Sequence, residues 1–74
     1  MNVTQCRMAR AGLGWSVGRL AKEAGLAERT VAKFETGGTV LPATVETLRQ
    51  TLVRNGAEFI NGGQSVGVKV PRSQ

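Results

Sequence analysis

Residues 16–35 read SVGRLAKEAGLAERTVAKFE, and this stretch decides the fold. Apolar residues recur at spacings of three and four in its first half, which predicts an amphipathic helix over 17–24 with Ser16 as its N-cap. Gly25 is suited to end that helix, because glycine adopts a positive φ without steric cost. The second half shows the same periodicity after a turn of about three or four residues, as a helix-turn-helix requires.

Two further helices and a β-hairpin are expected around this pair. The first further helix is predicted over 4–13, with Thr4 as N-cap, and the second from Pro42 to the Asn55-Gly56 pair. Between them lie the helix over 17–24 and its partner, which is predicted from Ala27 or Glu28 to about Thr36. Segments 57–60 and 66–70 alternate with period two, and the glycine-containing segment 61–65 lies between them as a loop. We therefore expect a mainly α domain of four to five helices over 1–56, followed by a β-hairpin and tail over 57–74.

The composition restricts the chemistry available to the chain. Its 74 residues are enough for one small domain, and they include no Asp, His or Tyr. With Cys6 as the single cysteine, we expect no catalytic triad, no metal centre, no internal disulfide and no cofactor, so an enzyme is the least favoured class. An unpaired cysteine and the absence of an apolar N-terminal stretch favour the cytoplasm.

The charge balance points to a polyanionic partner. Ten Lys and Arg stand against five acidic residues, which gives a formal net charge of +5. Nucleic acid and an anionic membrane surface both fit that charge. The basic residues are dispersed rather than gathered opposite a large apolar helix face, so a membrane is the weaker choice.

The helical part, residues 4–55, resembles the Xre/Cro/C1 family of lambda-repressor-like helix-turn-helix proteins. The resemblance rests on LAKEAGL at 20–26 and TVAKFETG at 30–37. It also rests on the combined spacing of Ala21, Gly25, Val31 and Phe34. Arg10 matches a first-helix arginine that in many members pairs with the glutamate found here as Glu35.

The resemblance implies that the third helix is a recognition helix that lies in the DNA major groove. The candidate base contacts are Glu28, Arg29, Thr30 and Lys33. The candidate phosphate contacts are Arg10, Ser16, Val17, Arg19, Thr36 and Thr39. Val17 stands where the family often has a phosphate-binding glutamine, so only its backbone N–H could serve, and the loop over 37–41 has no Lys or Arg.

For several residues, a role in packing, solvation or helix stability remains open beside the functional one. Arg29 could contact a phosphate or stay solvated, although its guanidinium can bind guanine bidentately. Glu28 could simply favour a helix N-terminus. Cys6 is interpreted as a packing residue, with a redox sensor as the alternative. Trp15 is also interpreted as a packing residue, with an exposed interface role as the alternative.

The expected function is a transcriptional regulator, with repression favoured, that binds an inverted repeat of double-stranded DNA as a homodimer. The predicted dimerisation residues are Phe59, Ile60, Val66, Val68 and Val70 of the hairpin. Alternatively, the hairpin folds back to cover its own helical core. A competing function is an antitoxin or another protein-interaction module that binds a protein partner through the C-terminal segment.

Overall fold

The computed structural model describes residues 1–62 and 65–71. Four helices come first, α1 (Val3–Gly12), α2 (Val17–Ala24), α3 (Glu28–Glu35) and α4 (Pro42–Arg54), and two strands follow, β1 (Glu58–Gly62) and β2 (Ser65–Lys69). The predicted mainly helical fold with a C-terminal β-hairpin is confirmed. Within the described residues, no helix is long and apolar enough to cross a membrane.

The first helix begins earlier than the sequence predicts, and the choice of Thr4 as N-cap is wrong. The N-cap is Asn2, whose Oδ1 accepts a hydrogen bond from the Gln5 N–H at 2.7 Å. The Gln5 side chain returns the interaction, because its Oε1 accepts from the Asn2 N–H at 3.1 Å. This capping box satisfies two backbone donors at once, which Thr4 could not do. The helix ends at Gly12, one residue before the predicted end.

The turn between α2 and α3 forms as the local sequence predicts. Ser16 caps α2 by accepting a hydrogen bond from the Arg19 N–H at 3.0 Å. Gly25 ends the helix with φ 70° and ψ 30°, in the left-handed region that glycine adopts most readily. Ala21 is only 3% exposed, and its small side chain lets α3 cross close to α2.

The hydrophobic core draws on all four helices. Its buried apolar residues are Cys6 and Ala9 of α1, Leu20 and Ala21 of α2, Val31 and Phe34 of α3, Leu48 and Leu52 of α4, and Ala57 after α4. Within each helix these residues are separated by one, three or four positions, so each helix presents one face inward. The core therefore holds the inner side of α3 and leaves its opposite side to solvent.

Both hairpin strands lie closer to the turn than predicted: β1 covers 58–62 rather than 57–60, and β2 covers 65–69 rather than 66–70. Residues 61, 62 and 65 belong to the strands rather than to a loop, and the remaining loop residues 63 and 64 lie outside the described part. The register is antiparallel, with Phe59 opposite Val68 and Ile60 opposite Gly67. Side chains alternate across a strand, and Phe59 and Val68 pack against the helical core while Ile60 on the other face is 44% exposed.

The hairpin is tied to α1 by a buried glutamine. Gln5 is 1% exposed, and its Nε2 donates toward the carbonyls of Ile60 at 3.3 Å and Gly67 at 3.4 Å and toward Asn61 Oδ1 at 3.2 Å. At the other end of the helix, a Cβ on Gly12 would lie 2.6 Å from Val70 Cγ2, so only glycine leaves room there. The hairpin is therefore packed into the same unit as the helices.

Replacing Gln5 with alanine is expected to lower the free energy of unfolding by about 2–3 kcal/mol, because buried polar groups of the hairpin and of the α1 cap lose their partner. Urea unfolding followed by circular dichroism measures this change. The matched control is Gln50→Ala on the exposed side of α4, which should leave the midpoint nearly unchanged. Equal effects of the two substitutions would contradict the anchoring role of Gln5.

Candidate nucleic-acid interface

Helix α3 divides its side chains between the core and the solvent. Its buried residues are Val31, Phe34 and Glu35. On the opposite side, Glu28, Arg29 and Lys33 are exposed, while Thr30 and Ala32 are half-buried. Arg29 and Lys33 are four positions apart, so their side chains project from the same face of the helix. The structure thus brings Arg29 and Lys33 together on one accessible face, whereas Glu28 and Thr30 lie at the edges of that face.

The basic side chains of this surface carry uncompensated charge. Within the described residues, the ion pairs join Arg10 to Glu35, Arg19 to Glu23 and Arg49 to Glu46. Neither Arg29 nor Lys33 takes part in one. Their positive charges are therefore available to an external anion rather than neutralised within the described part of the chain.

Two close contacts, of Glu28 with Gly18 and of Lys33 with Gly38, show where the segments before and after α3 lie. A Cβ on Gly18 would lie 2.9 Å from Glu28 Oε1, so the Glu28 carboxylate lies beside the first turn of α2. The positive end of a helix dipole favours a carboxylate at that place. After α3, a Cβ on Gly38 would lie 2.6 Å from Lys33 Cγ, so the loop folds back against the stem of Lys33. The N-terminus of α2 and the loop after α3 therefore border opposite ends of the α3 surface.

The predicted phosphate contacts lie mostly in these bordering segments. Ser16 and Val17 begin α2, and Thr39 is exposed in the loop after α3. Arg19 is exposed, but its Nε donates to Glu23 at 2.8 Å, and its guanidinium lies 4.9 Å from the centroid of the Trp15 ring. These contacts hold the Arg19 side chain on the outside of α2.

Thr36 is less free than its exposure suggests. Its Oγ1 donates to the carbonyls of Ala32 at 3.0 Å and Lys33 at 3.1 Å, within its own helix end. A phosphate could receive this proton only if the hydroxyl rotated. Contact through Thr36 stays a prediction, as it does for the other candidates.

The Arg10 guanidinium is hydrogen-bonded to other groups of the protein. Its Nε donates to Glu35 Oε2 and its Nη2 donates to Glu35 Oε1, both at 2.9 Å. Its Nη1 donates to the Trp15 carbonyl at 3.0 Å. The side chains are 20% and 6% exposed, so the structure makes this bidentate pair a link between α1, α3 and the α1–α2 connection. The geometry favours the structural role of Arg10 over its predicted phosphate contact.

Cys6 lies next to the same carboxylate. Its Sγ donates to Glu35 Oε2 at 3.6 Å, and the side chain is fully buried. Burial, followed by the negative charge of Glu35, raises the pKa of Cys6 to about 12. The thiol therefore stays protonated and unreactive at neutral pH, which favours the packing interpretation over a redox sensor.

Three residues that shape this region were not predicted as functional. Gln5 carries a recognisable signal, because a glutamine three residues after asparagine marks a capping box. Gly18 and Gly38 carry no comparable signal, since the side chains that approach them come from α3 rather than from neighbouring positions.

Comparison with known protein families finds no family model that matches the chain, and no curated protein matches it either.

Replacing Arg10 with alanine is expected to destabilise the fold by about 2–4 kcal/mol, because the Glu35 carboxylate would remain buried without its cation. Chemical unfolding at pH 7 measures the loss. Arg49→Ala provides the control, since it removes the same kind of pair from a solvent-exposed site and should leave the midpoint nearly unchanged. If Arg10→Ala proves as mild as the control, the pair is not a structural link.

The raised pKa of Cys6 predicts a loss of stability in alkaline solution. The unfolded thiol ionises near its ordinary pKa of 9.0 and the folded thiol near about 12, so this stabilisation is complete below pH 9 and declines as pH rises toward 12. By pH 10 the loss should reach about 1 kcal/mol. Thermal unfolding between pH 7 and pH 10 should show a steeper decline for the wild type than for Cys6→Ala. Parallel declines would show that the thiol does not contribute.

Proposed function

We propose that this chain is a sequence-specific DNA-binding regulator of transcription, and specifically a repressor that occupies operator DNA. The observation that carries the proposal is the outer surface of α3, where Arg29 and Lys33 are exposed and outside the ion pairs of the described residues. The formal net charge of +5 supports it, as does the resemblance of residues 4–55 to lambda-repressor-like proteins.

In this proposal α3 enters the major groove, which is about 12 Å wide and admits an α-helix. Residues near the start of a recognition helix contact base edges, so Arg29 is expected to bind guanine O6 and N7. Lys33 lies one turn later and would reach a second base or a phosphate. Thr30 is half-buried and would contribute a short-range contact, for example with a thymine methyl.

The bordering segments would hold the DNA backbone. The first turn of α2 offers backbone N–H groups at Ser16 and Val17, and such a helix N-terminus binds phosphate. The Glu28 carboxylate now lies beside that turn and would repel an arriving phosphate. Glu28 is therefore expected to swing toward the base edges when DNA binds, where it could accept from cytosine N4.

A single α3 reads too few base pairs to give strong discrimination. Two copies related by a two-fold axis would read half-sites about 34 Å apart, which matches an inverted repeat. The regulator is accordingly proposed to work as a homodimer, and its place of action is the cytoplasm, where bacterial and phage regulators of this type meet DNA.

Arg29→Ala tests base reading most directly. On a DNA site selected from a random oligonucleotide pool, it should cost about 1–3 kcal/mol of binding free energy and relax the preference at one position. Arg54→Ala on α4 is the matched control, because it removes the same charge from an exposed side chain away from α3. Base reading by Arg29 is wrong if Arg29→Ala weakens selected and random DNA by the same factor.

Salt dependence tests DNA binding itself. Neutralising phosphates releases counterions, so the logarithm of affinity should fall linearly with the logarithm of salt concentration, with a slope of about −0.9 per phosphate contacted. Fluorescence anisotropy at several salt concentrations gives the slope. A chain that selects no sequence and shows a flat plot does not bind DNA in the proposed way.

A further inference from the structure

The hairpin leaves two open strand edges. Among the described residues the sheet contains only β1 and β2, so each strand has a neighbour on one side only. An open edge presents unpaired N–H and C=O groups that can pair with another chain. We propose that β1 pairs edge to edge with β1 of a second copy, antiparallel and centred on Ile60. This dimer contact deepens the proposed function, and rests on it for its biological role.

The Gln5 amide shows which backbone groups face that edge. Its single Nε2 lies 3.3 Å from the Ile60 carbonyl oxygen and 3.4 Å from the Gly67 carbonyl oxygen. Ile60 and Gly67 are opposed in the register, and one donor reaches both oxygens only if both point into the space between the strands. In an antiparallel ladder the neighbouring residues then point their groups outward. On β1 these are Phe59 and Asn61.

This pattern sets the register of the dimer. Outward groups at Phe59 and Asn61 allow Phe59 of one copy to exchange hydrogen bonds with Asn61 of the second copy, and the reverse. The two-fold axis then passes between the two copies of Ile60. Opposed residues without direct hydrogen bonds have their Cα atoms about 4.5 Å apart, with side chains in contact.

The exposed face of β1 suits this arrangement. Ile60 is 44% exposed and would be covered by Ile60 of the second copy. Glu58 would lie opposite Gly62 of the second copy, so the two Glu58 carboxylates would not face one another. In its own hairpin Glu58 lies opposite Lys69, so opposite charges flank the apolar centre on both sides.

The other hairpin surfaces are poorer candidates. Phe59, Val68 and Val70, which the sequence suggested for dimerisation, pack against the protein's own helical core. Pairing through β2 in the equivalent register would place Gly67 on the axis, where no side chains could meet. Val66 is 44% exposed, but it is next to Gly67 and would lie off the axis in that register. In a register centred between two residues with outward backbone groups, only β1 places an exposed apolar side chain on the two-fold axis.

The contact is short, so the free dimer should be weak. A strand of five residues is about 17 Å long, which offers few hydrogen bonds. Two copies bound to adjacent half-sites have a high effective concentration, and DNA would therefore strengthen the pairing. The same contact would give cooperative occupation of the inverted repeat.

A disulfide across the axis provides the test, in full-length protein without DNA. Ile60→Cys places two thiols at the axis with Cα atoms about 4.5 Å apart, within the range of a disulfide. Wild type is the first control, because its Cys6 is fully buried. Glu46→Cys on the exposed side of α4 reports random collisions, and Gly67→Cys reports the β2-centred alternative.

Under mild oxidation, Ile60→Cys should form covalent dimer at least about ten-fold faster than Glu46→Cys, because pairing raises the effective thiol concentration. Equal rates, or faster dimerisation of Gly67→Cys, would overturn the β1 contact.

Ile60→Lys gives a second measurement. Sedimentation of this variant at high protein concentration should show only monomer. Its unfolding midpoint should stay that of the wild type, because Ile60 lies outside the core. Failure of these tests would leave DNA binding by α3 intact, and a chain that dimerises without binding DNA would refute only the proposed function.

Discussion

The buried ion pair between Arg10 and Glu35 is the constraint on which the position of α3 depends. Glu35 is the last residue of α3, and its carboxylate is 6% exposed. Such a group is costly to bury unless every oxygen is hydrogen-bonded, and here Arg10 and Cys6 supply the donors. Because Arg10 also binds the Trp15 carbonyl, one guanidinium joins α1, the α1–α2 connection and α3. The ion pair therefore fixes the position of α3 relative to α1 more than it adds to the free energy of unfolding.

That placement gives α3 two different faces. The inner face is held by Val31 and Phe34 in the core, so the outer face stays on the solvent side. Three glutamates neutralise arginines elsewhere in the described residues. Arg29 and Lys33 have no place in those pairs, so they remain as charged groups on the outer face.

The hairpin belongs to the folded unit and also extends it. Gln5 and the close approach of Val70 to Gly12 join it to α1, and Ala57 before β1 is only 2% exposed. Removing the hairpin would therefore uncover the core as well as delete an edge. This is why a dimer contact through β1 is better examined by single substitutions at Ile60 than by truncation.

The sequence by itself determined the α2–turn–α3 unit and the residues on its outer face. Ser16, Gly25 and the three-and-four spacing act through neighbours within one or two turns, so local rules suffice. Only the tertiary structure decided that Gln5 reaches Ile60, 55 positions away, and that the hairpin turns Phe59 inward and Ile60 outward. It also decided that Glu28 lies against Gly18. Such contacts depend on how separate elements pack, and the spacing of residues within one element does not encode that packing.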